Sequence, residues 1–95
     1  MHEIEIIHNN GRYTVYSNGC FIGNIECYKD YNTLKIISMK VYRMNTEFIS
    51  TFLKYAYSNG TQYVEILGVN KSDYWEKYGF TDTGHNSMAV KLGGY

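Results

Sequence analysis

Residues 33–69 read TLKIISMKVYRMNTEFISTFLKYAYSNGTQYVEILGV, and this stretch decides the fold. Its first part, 33–42, predicts a long strand. Between 45 and 60 the apolar residues recur every three or four positions, which indicates an amphipathic helix. The last part, 61–69, is β-branched and apolar enough for a strand buried on both faces, as expected of one that runs parallel to its predecessor after a crossover helix.

Capping signals mark both ends of this helix. Asn45 or Thr46 can accept a hydrogen bond from a first-turn N–H, and Glu47 suits the positive end of the helix dipole. Asn59 and Gly60 provide the left-handed conformation that ends a helix. We therefore predict that the crossover helix stops just before Gly60.

Upstream of this unit the sequence predicts further antiparallel strands. A first strand over 4–7 ends at a polar turn over 8–11. A hairpin follows, with strands over 12–16 and 20–28 on either side of Asn18 and Gly19, a pair that tolerates the positive φ angles of a type I′ turn.

Downstream, Ser72 or Asp73 caps a short helix that continues through Tyr78, and 87–92 predicts the last strand. At 95 residues the chain is long enough for one core, so we predict one domain over 1–95. The predicted fold class is α/β (α+β). It consists of a mixed, mainly antiparallel sheet of about five to six strands with one main amphipathic helix and one short helix.

The composition limits the classes of function. Nine basic and nine acidic residues cancel, so we expect neither a nucleic acid nor a membrane as partner. The three histidines lack the close spacing of a metal site, and we predict no metal. Without a leader-like start or a long apolar run, we expect a cytoplasmic protein. We expect Cys20 and Cys27 to be buried thiols.

The segment YWEKYGF at 74–80 carries a resemblance to a known family. It is similar to the aromatic-Tyr-Glu-Lys-x-Gly-Phe turn of the GCN5-related N-acetyltransferase (GNAT) superfamily. Residues 21–25 resemble the second strand of that family, and the order of elements over about residues 12 to 92 looks like its core. The resemblance implies a small, degenerate member with a GNAT-like fold.

The resemblance also implies where acetyl-CoA would lie if the protein were an enzyme. Main-chain groups of Met39 and Val41 and the side chain of Asn70 match positions that contact the pantetheine arm, and Arg43 could meet a phosphate. The glycine-rich pyrophosphate loop of the family is absent, since no glycine follows Val41 before the helix. A loop without glycine brings its backbone N–H groups less close to a phosphate.

Trp75 is the second departure from the family pattern. Matching members have a tyrosine here that can protonate the departing thiolate, and an indole N–H cannot act as such an acid. Tyr74 is the one candidate for this catalytic role. It lies about 100° away round the helix, so its hydroxyl would reach the thiolate only if the short helix were rotated. We otherwise expect both aromatic residues to anchor the helix on the sheet.

Two hypotheses follow. In the first, the chain is a degenerate acetyltransferase-like domain that has no cofactor and acts by binding a protein, as a phage or bacterial regulator or inhibitor. Its contact patch would include Tyr42, Arg43 and Met44, because these residue types are enriched in interface cores. In the second, it is a small N-acetyltransferase that uses acetyl-CoA. The two losses described above favour the first.

Overall fold

The structure is a computed structural model that describes residues 4–42, 46–70 and 72–93. Within these ranges the chain forms seven strands and two helices. In chain order they are β1 (Ile4–Asn9), β2 (Arg12–Ser17), β3 (Cys20–Asp30), β4 (Thr33–Val41), α1 (Thr46–Ser58), β5 (Tyr63–Leu67), α2 (Asp73–Glu76), β6 (Thr81–Asp82) and β7 (Ser87–Lys91).

All seven strands belong to one sheet with the order β1-β2-β3-β4-β5-β7-β6. Every neighbouring pair is antiparallel except β4 and β5, which are parallel and are joined by the crossover helix α1. The predicted mixed, mainly antiparallel sheet with one main and one short helix is confirmed. The described residues contain seven strands, slightly more than the five to six predicted.

The helix α1 covers the sheet with the apolar face that its sequence pattern predicts. Its buried residues are Phe48, Ile49, Phe52, Leu53 and Ala56. Burying a side chain the size of phenylalanine or isoleucine stabilises a fold by about 1.5 to 3 kcal/mol. This face therefore contributes much of the stability of the domain. The helix ends at Ser58, just before Gly60 as predicted, and the φ of Gly60 is 87°.

Both helices pack on the same face of the sheet. The buried residues of α1 and of the strands form one hydrophobic cluster, and the partly buried Trp75 and Tyr78 pack against it. Within 4–42, 46–70 and 72–93 no helix covers the opposite face. That open face carries ion pairs instead, including Arg12 with Glu26 at 3.4 Å and Lys35 with Glu65 at 3.8 Å.

Tight turns connect the first strands. The β2–β3 hairpin turns at Asn18 and Gly19, with φ angles of 52° and 81°, as predicted for a type I′ turn. The same geometry recurs between β1 and β2 at Asn10 and Gly11, whose φ angles are 49° and 77°. The polar turn predicted over 8–11 is therefore shorter than expected, because β1 runs on to Asn9 before the chain reverses.

Several other predicted boundaries were wrong. The strand predicted over 61–69 is shorter, and one reason is that the N–H of Thr61 donates to the carbonyl of Ala56 and so belongs to the helix end. The helix α2 stops at Glu76 instead of Tyr78, and the side chain of its N-cap residue Ser72 makes no capping hydrogen bond. Cys20 is exposed, whereas Cys27 is buried as expected.

In the part of the chain that the structure describes, neither helix is long and apolar enough to cross a membrane.

Candidate functional site

The parallel pair of strands in the middle of the sheet is short. β4 and β5 are in register from Thr33 with Tyr63 to Ile36 with Ile66. Beyond this point β4 continues to Val41, while β5 ends at Leu67. Over positions 37–41 the edge of β4 on the β5 side therefore pairs with no strand in the described residues. The two strands separate at their carboxyl ends, which is where ligands bind in sheets that contain parallel strands.

A β-bulge lies where β4 leaves β5. Cys27 pairs with Ile36 and Glu26 pairs with Ser38, so Ile37 is the extra residue on β4. A bulge bends the strand that carries it and increases its twist. The bulge therefore helps to turn the end of β4 away from β5.

The neighbouring strand β3 holds the end of β4 closely. Gly23 pairs with Val41, and a Cβ on Gly23 would collide with the carbonyl oxygen of Lys40 and with the Cα of Val41. The N–H of Tyr42 donates to the carbonyl of Ile22 over 2.8 Å. Glycine at position 23 therefore allows the close approach that fixes this side of the opening.

Two of the residues predicted to contact a cofactor line this opening. Met39 and Val41 lie on the separated part of β4, and their side chains are partly buried against the core. Asn70 is exposed, three residues beyond the end of β5. Tyr42 is 91% exposed. Arg43 and Met44, together with the capping candidate Asn45, lie outside the described residues.

A cluster of hydroxyl groups lies between the start of α1 and the short helix α2. The Tyr78 hydroxyl is 3.5 Å from Oγ1 of Thr46. Burial, the charge of a neighbouring Tyr78 phenolate and a hydrogen bond to Tyr78 raise the pKa of Tyr74, in that order of size. Since α1 follows β4 and α2 follows β5, this cluster lies at the same end of the parallel pair as the opening.

Tyr78 is the residue of this cluster that the sequence analysis missed. It lies four positions after Tyr74, a spacing that brings side chains together on a helix, and the two rings are in edge contact with centroids 5.6 Å apart. That spacing was the signal that could have identified it. Lys77 lies over the same two rings, with Nζ 4.5 Å from the Tyr74 centroid.

Trp75 packs against the core. Its ring contacts that of Phe80, which is 2% exposed, with centroids 5.4 Å apart. Trp75 itself is partly buried. It anchors the short helix on the sheet, as the sequence suggested.

Two carboxylates on the open face, those of Glu65 and Glu26, are already engaged. Oε2 of Glu65 accepts a hydrogen bond of 2.6 Å from the hydroxyl of Ser87, which is 1% exposed, and Oε1 lies 3.8 Å from Nζ of Lys35. Glu26 pairs with Arg12. Among the described side chains, no group of three His, Cys, Asp or Glu residues is placed to hold a metal ion.

Comparisons with known proteins give matches of fold but none of sequence. No protein-family model matches the sequence, and no curated protein matches it. Solved structures do match the fold. A GNAT family acetyltransferase from Brucella melitensis, in complex with acetyl-CoA, has a TM-score of 0.59 at 15% identity over 87% of this chain. The PaiA N-acetyltransferase from Thermoplasma acidophilum, in complex with coenzyme A, has a TM-score of 0.58 at 16% identity over 85% of this chain.

The chain spans 58% and 60% of the length of these two proteins. A third structure is closer to it in size. An acetyltransferase from Bacillus subtilis, in complex with CoA, matches with a TM-score of 0.60 at 14% identity, and the match covers 98% of this chain and 100% of that one. At these identities the likeness concerns the fold, and the fold of this chain is GNAT-like.

Proposed function

We propose that the chain binds acetyl-CoA in the opening between β4 and β5 and transfers the acetyl group to an amine. The observation that carries this proposal is the register of the parallel pair, which ends at Ile36 and Ile66 while β4 continues to Val41. Backbone groups left without a partner in a covered site cost about 1 to 3 kcal/mol each. A linear chain with amide groups, such as a pantetheine arm, can pair with this edge as a strand would.

The residues at the opening fit such a ligand. The main chain at Met39 and Val41 would offer N–H and C=O groups, and their partly buried side chains would form an apolar wall. Bound acetyl-CoA would supply an acetyl group activated as a thioester. From the sequence we expected no cofactor, in part because the chain lacks the residues of a phosphate loop. The Bacillus subtilis acetyltransferase, a chain of matching length, is in complex with CoA, and this supports the present proposal.

The tyrosine pair would provide the proton that Trp75 cannot. Tyrosine hydroxyls are protonated at neutral pH, and the raised pKa of Tyr74 makes loss of its own proton still less favourable. Tyr74 and Tyr78 share a hydrogen bond, which holds Oη of Tyr78 in place. After giving its proton to the thiolate, Tyr78 would take a new proton from water. We therefore assign Tyr78 as the proton donor and Tyr74 as the residue that positions it.

Calorimetry with CoA and acetyl-CoA tests the binding step. We expect a Kd in the range of about 1 to 100 µM, or roughly −8 to −5.5 kcal/mol. Absence of saturable binding at about 1 mM ligand would contradict the proposal.

Release of free CoA thiol in the presence of spermidine, polylysine or free amino acids tests the transfer step. We expect Tyr78→Phe to lower the rate by about 100-fold or more, the usual contribution of a positioned general acid, while the Kd for CoA stays the same. Tyr57→Phe is the matched control, because Tyr57 lies on the exposed side of α1. Equal rates for the two variants would remove Tyr78 from the mechanism.

Protein binding is the second candidate function, and one surface favours it. A groove of about 430 Å³ lies beside the end of β4 and is lined in part by Phe21, Ile22, Val41 and Tyr42. Phe21 is 58% exposed and Tyr42 is 91% exposed. Aromatic residues exposed beside an apolar groove are typical of contact surfaces.

This candidate keeps the patch predicted from the sequence, Tyr42 with Arg43 and Met44. Replacing the three residues with serine should leave the melting temperature within a few degrees and abolish the capture of a specific protein from a cell lysate. Capture that survives the triple substitution would exclude this patch.

A further inference from the structure

The two edges of the sheet differ in length. The edge strand β6 has two residues, which leaves little backbone to pair. The other edge strand, β1, has six residues, and in the described parts of the chain no strand pairs with its outer side. Half of its N–H and C=O groups point toward β2, and the other half point outward, as in any strand at the edge of a sheet.

β1 has few of the features by which proteins usually protect an edge strand. Its sequence, IEIIHN, contains no lysine and no proline, and Glu5 is its one acidic residue. Its register with β2 is continuous from Ile4 to Asn9, without a bulge. Ile7 is 48% exposed on the open face, and Ile4 and Ile6 are partly buried on the other face. A regular, apolar edge of this kind is a template for pairing with another strand.

We infer that β1 pairs antiparallel with β1 of a second copy of the chain, so that the two sheets become one continuous sheet. The two copies would be related by a two-fold axis perpendicular to the sheet. Residues directly opposite each other in an antiparallel pair have side chains on the same face. This limits the register to one that sets a residue opposite itself at the axis.

The side chains favour the register with Ile7 at the axis. It sets Ile7 opposite Ile7 of the second copy on the open face and Ile6 opposite His8 on the helical face. Glu5 then lies opposite the uncharged Asn9. The register centred on Ile6 would set the carboxylate of Glu5 against an isoleucine, which leaves a charge against an apolar neighbour.

A second copy suits this edge for reasons of charge and position. The chain has no net charge, so two copies do not repel each other. Because α1 contacts β1, pairing would bring the helices of both copies to the seam and add side-chain contacts to the backbone hydrogen bonds. A strand pair of this length buries less than the roughly 1,200 Å² of a standard interface. The dimer should therefore have micromolar affinity and depend on protein concentration.

Sedimentation velocity of the full chain from about 1 µM to about 500 µM tests this inference. We expect the wild type to change from monomer to dimer within this range. Ile7→Lys and Ile7→Glu each place two like charges opposite each other at the axis, which is unfavourable, and should raise the dimer Kd at least tenfold. An equimolar mixture of the two variants should restore dimers, because each lysine then faces a glutamate.

Ile37→Lys is the matched control. Ile37 is 56% exposed on the same open face but lies on the interior strand β4. Its substitution should leave the dimer Kd within about twofold of the wild type, a change that corresponds to less than about 0.5 kcal/mol. A wild type that remains monomeric throughout the range would overturn the inference. So would equal weakening by Ile7→Lys and Ile37→Lys, which would indicate association through the open face.

Amide hydrogen exchange gives a second readout. Alternate amides of β1 should become more protected as the protein concentration rises, whereas those of β6 should not. Unchanged protection in β1 where sedimentation reports a dimer would place the interface elsewhere. Neither measurement involves CoA, so the result does not depend on the proposed function.

Discussion

The substitution Gly23→Ala tests whether the close approach of β3 and β4 holds the end of β4 in place. The added Cβ would lie 2.5 Å from the Cα of Val41 and closer still to the carbonyl oxygen of Lys40. Carbon atoms in van der Waals contact lie about 3.5 to 4.0 Å apart. The strands must therefore move apart by about 1 Å, and because both obstructing groups are backbone atoms, neither can rotate away.

Gly23→Ala should lower the free energy of unfolding by about 3 kcal/mol, near the upper end of the range for overpacking. For a domain of this size that corresponds to a fall in melting temperature of about 12 to 24 °C. Urea denaturation, followed by the fluorescence of the single tryptophan, measures the free energy of unfolding directly. We also expect weaker binding of CoA, because the displaced segment of β4 forms one side of the opening.

Gly93→Ala is the matched control. The φ of Gly93 is +154°, close to the +158° of Gly23, but an added Cβ would meet nothing within 4 Å. Both variants change the backbone preference in the same way. The difference between their losses of unfolding free energy therefore measures the effect of the collision alone. If Gly23→Ala and Gly93→Ala destabilise the fold to within about 0.5 kcal/mol of each other, the reasoning is refuted.

Three further predictions concern pH, thiols and the tryptophan. Burial raises the pKa of Cys27 to about 11 and that of Tyr13 to about 12. The unfolded chain therefore loses these protons at lower pH, and the free energy of unfolding should fall by about 2 kcal/mol between pH 9 and pH 11 from Cys27 alone. In the Tyr13→Phe variant the free energy of unfolding, measured by denaturation at each pH, should fall less steeply above about pH 10. At neutral pH a thiol reagent should label the exposed Cys20 quickly and Cys27 at the rate of unfolding, and equal rates would contradict the burial of Cys27. Trp75→Ala should lower the free energy of unfolding by about 2 to 3 kcal/mol, which is less than the loss expected for a fully buried tryptophan. Trp75→Phe should recover most of this loss, as measured by urea denaturation.

The periodic segments of the sequence predicted most of the fold. The spacing from Phe48 to Ala56 identified the buried face of α1, and the Asn-Gly pair at 18 and 19 identified the hairpin. Local patterns of this kind depend on residues close in sequence, so they are readable without the tertiary structure. The strand β6 was missed because Thr81 and Asp82 are both exposed. Their pairing with β7 is a tertiary contact that two polar residues do not signal.

A cofactor position at Met39 and Val41 was expected from the family resemblance, but the physical basis of the opening between β4 and β5 was not visible in the sequence. The bulge at Ile37 depends on the register between β3 and β4, which no local pattern specifies. The partnership of Tyr78 with Thr46 joins residues 32 positions apart. Such contacts arise only when the crossover helix and the short helix pack on the same face, so the contact between Tyr78 and Thr46 could not be predicted.

The short parallel pair also has a consequence for how the chain folds. It joins two antiparallel blocks, β1–β4 and β5–β7, through four residue pairs that lie 30 positions apart in sequence. The first block is a meander with tight turns, whose contacts close short loops and should form early, whereas the junction must wait for the longer loop through α1. The junction should therefore be the last part of the sheet to assemble and the first to open. A ligand that bridges the two blocks beyond Ile36 would slow that opening, and the amides of residues 33–36 and 63–66 would report it as slower exchange.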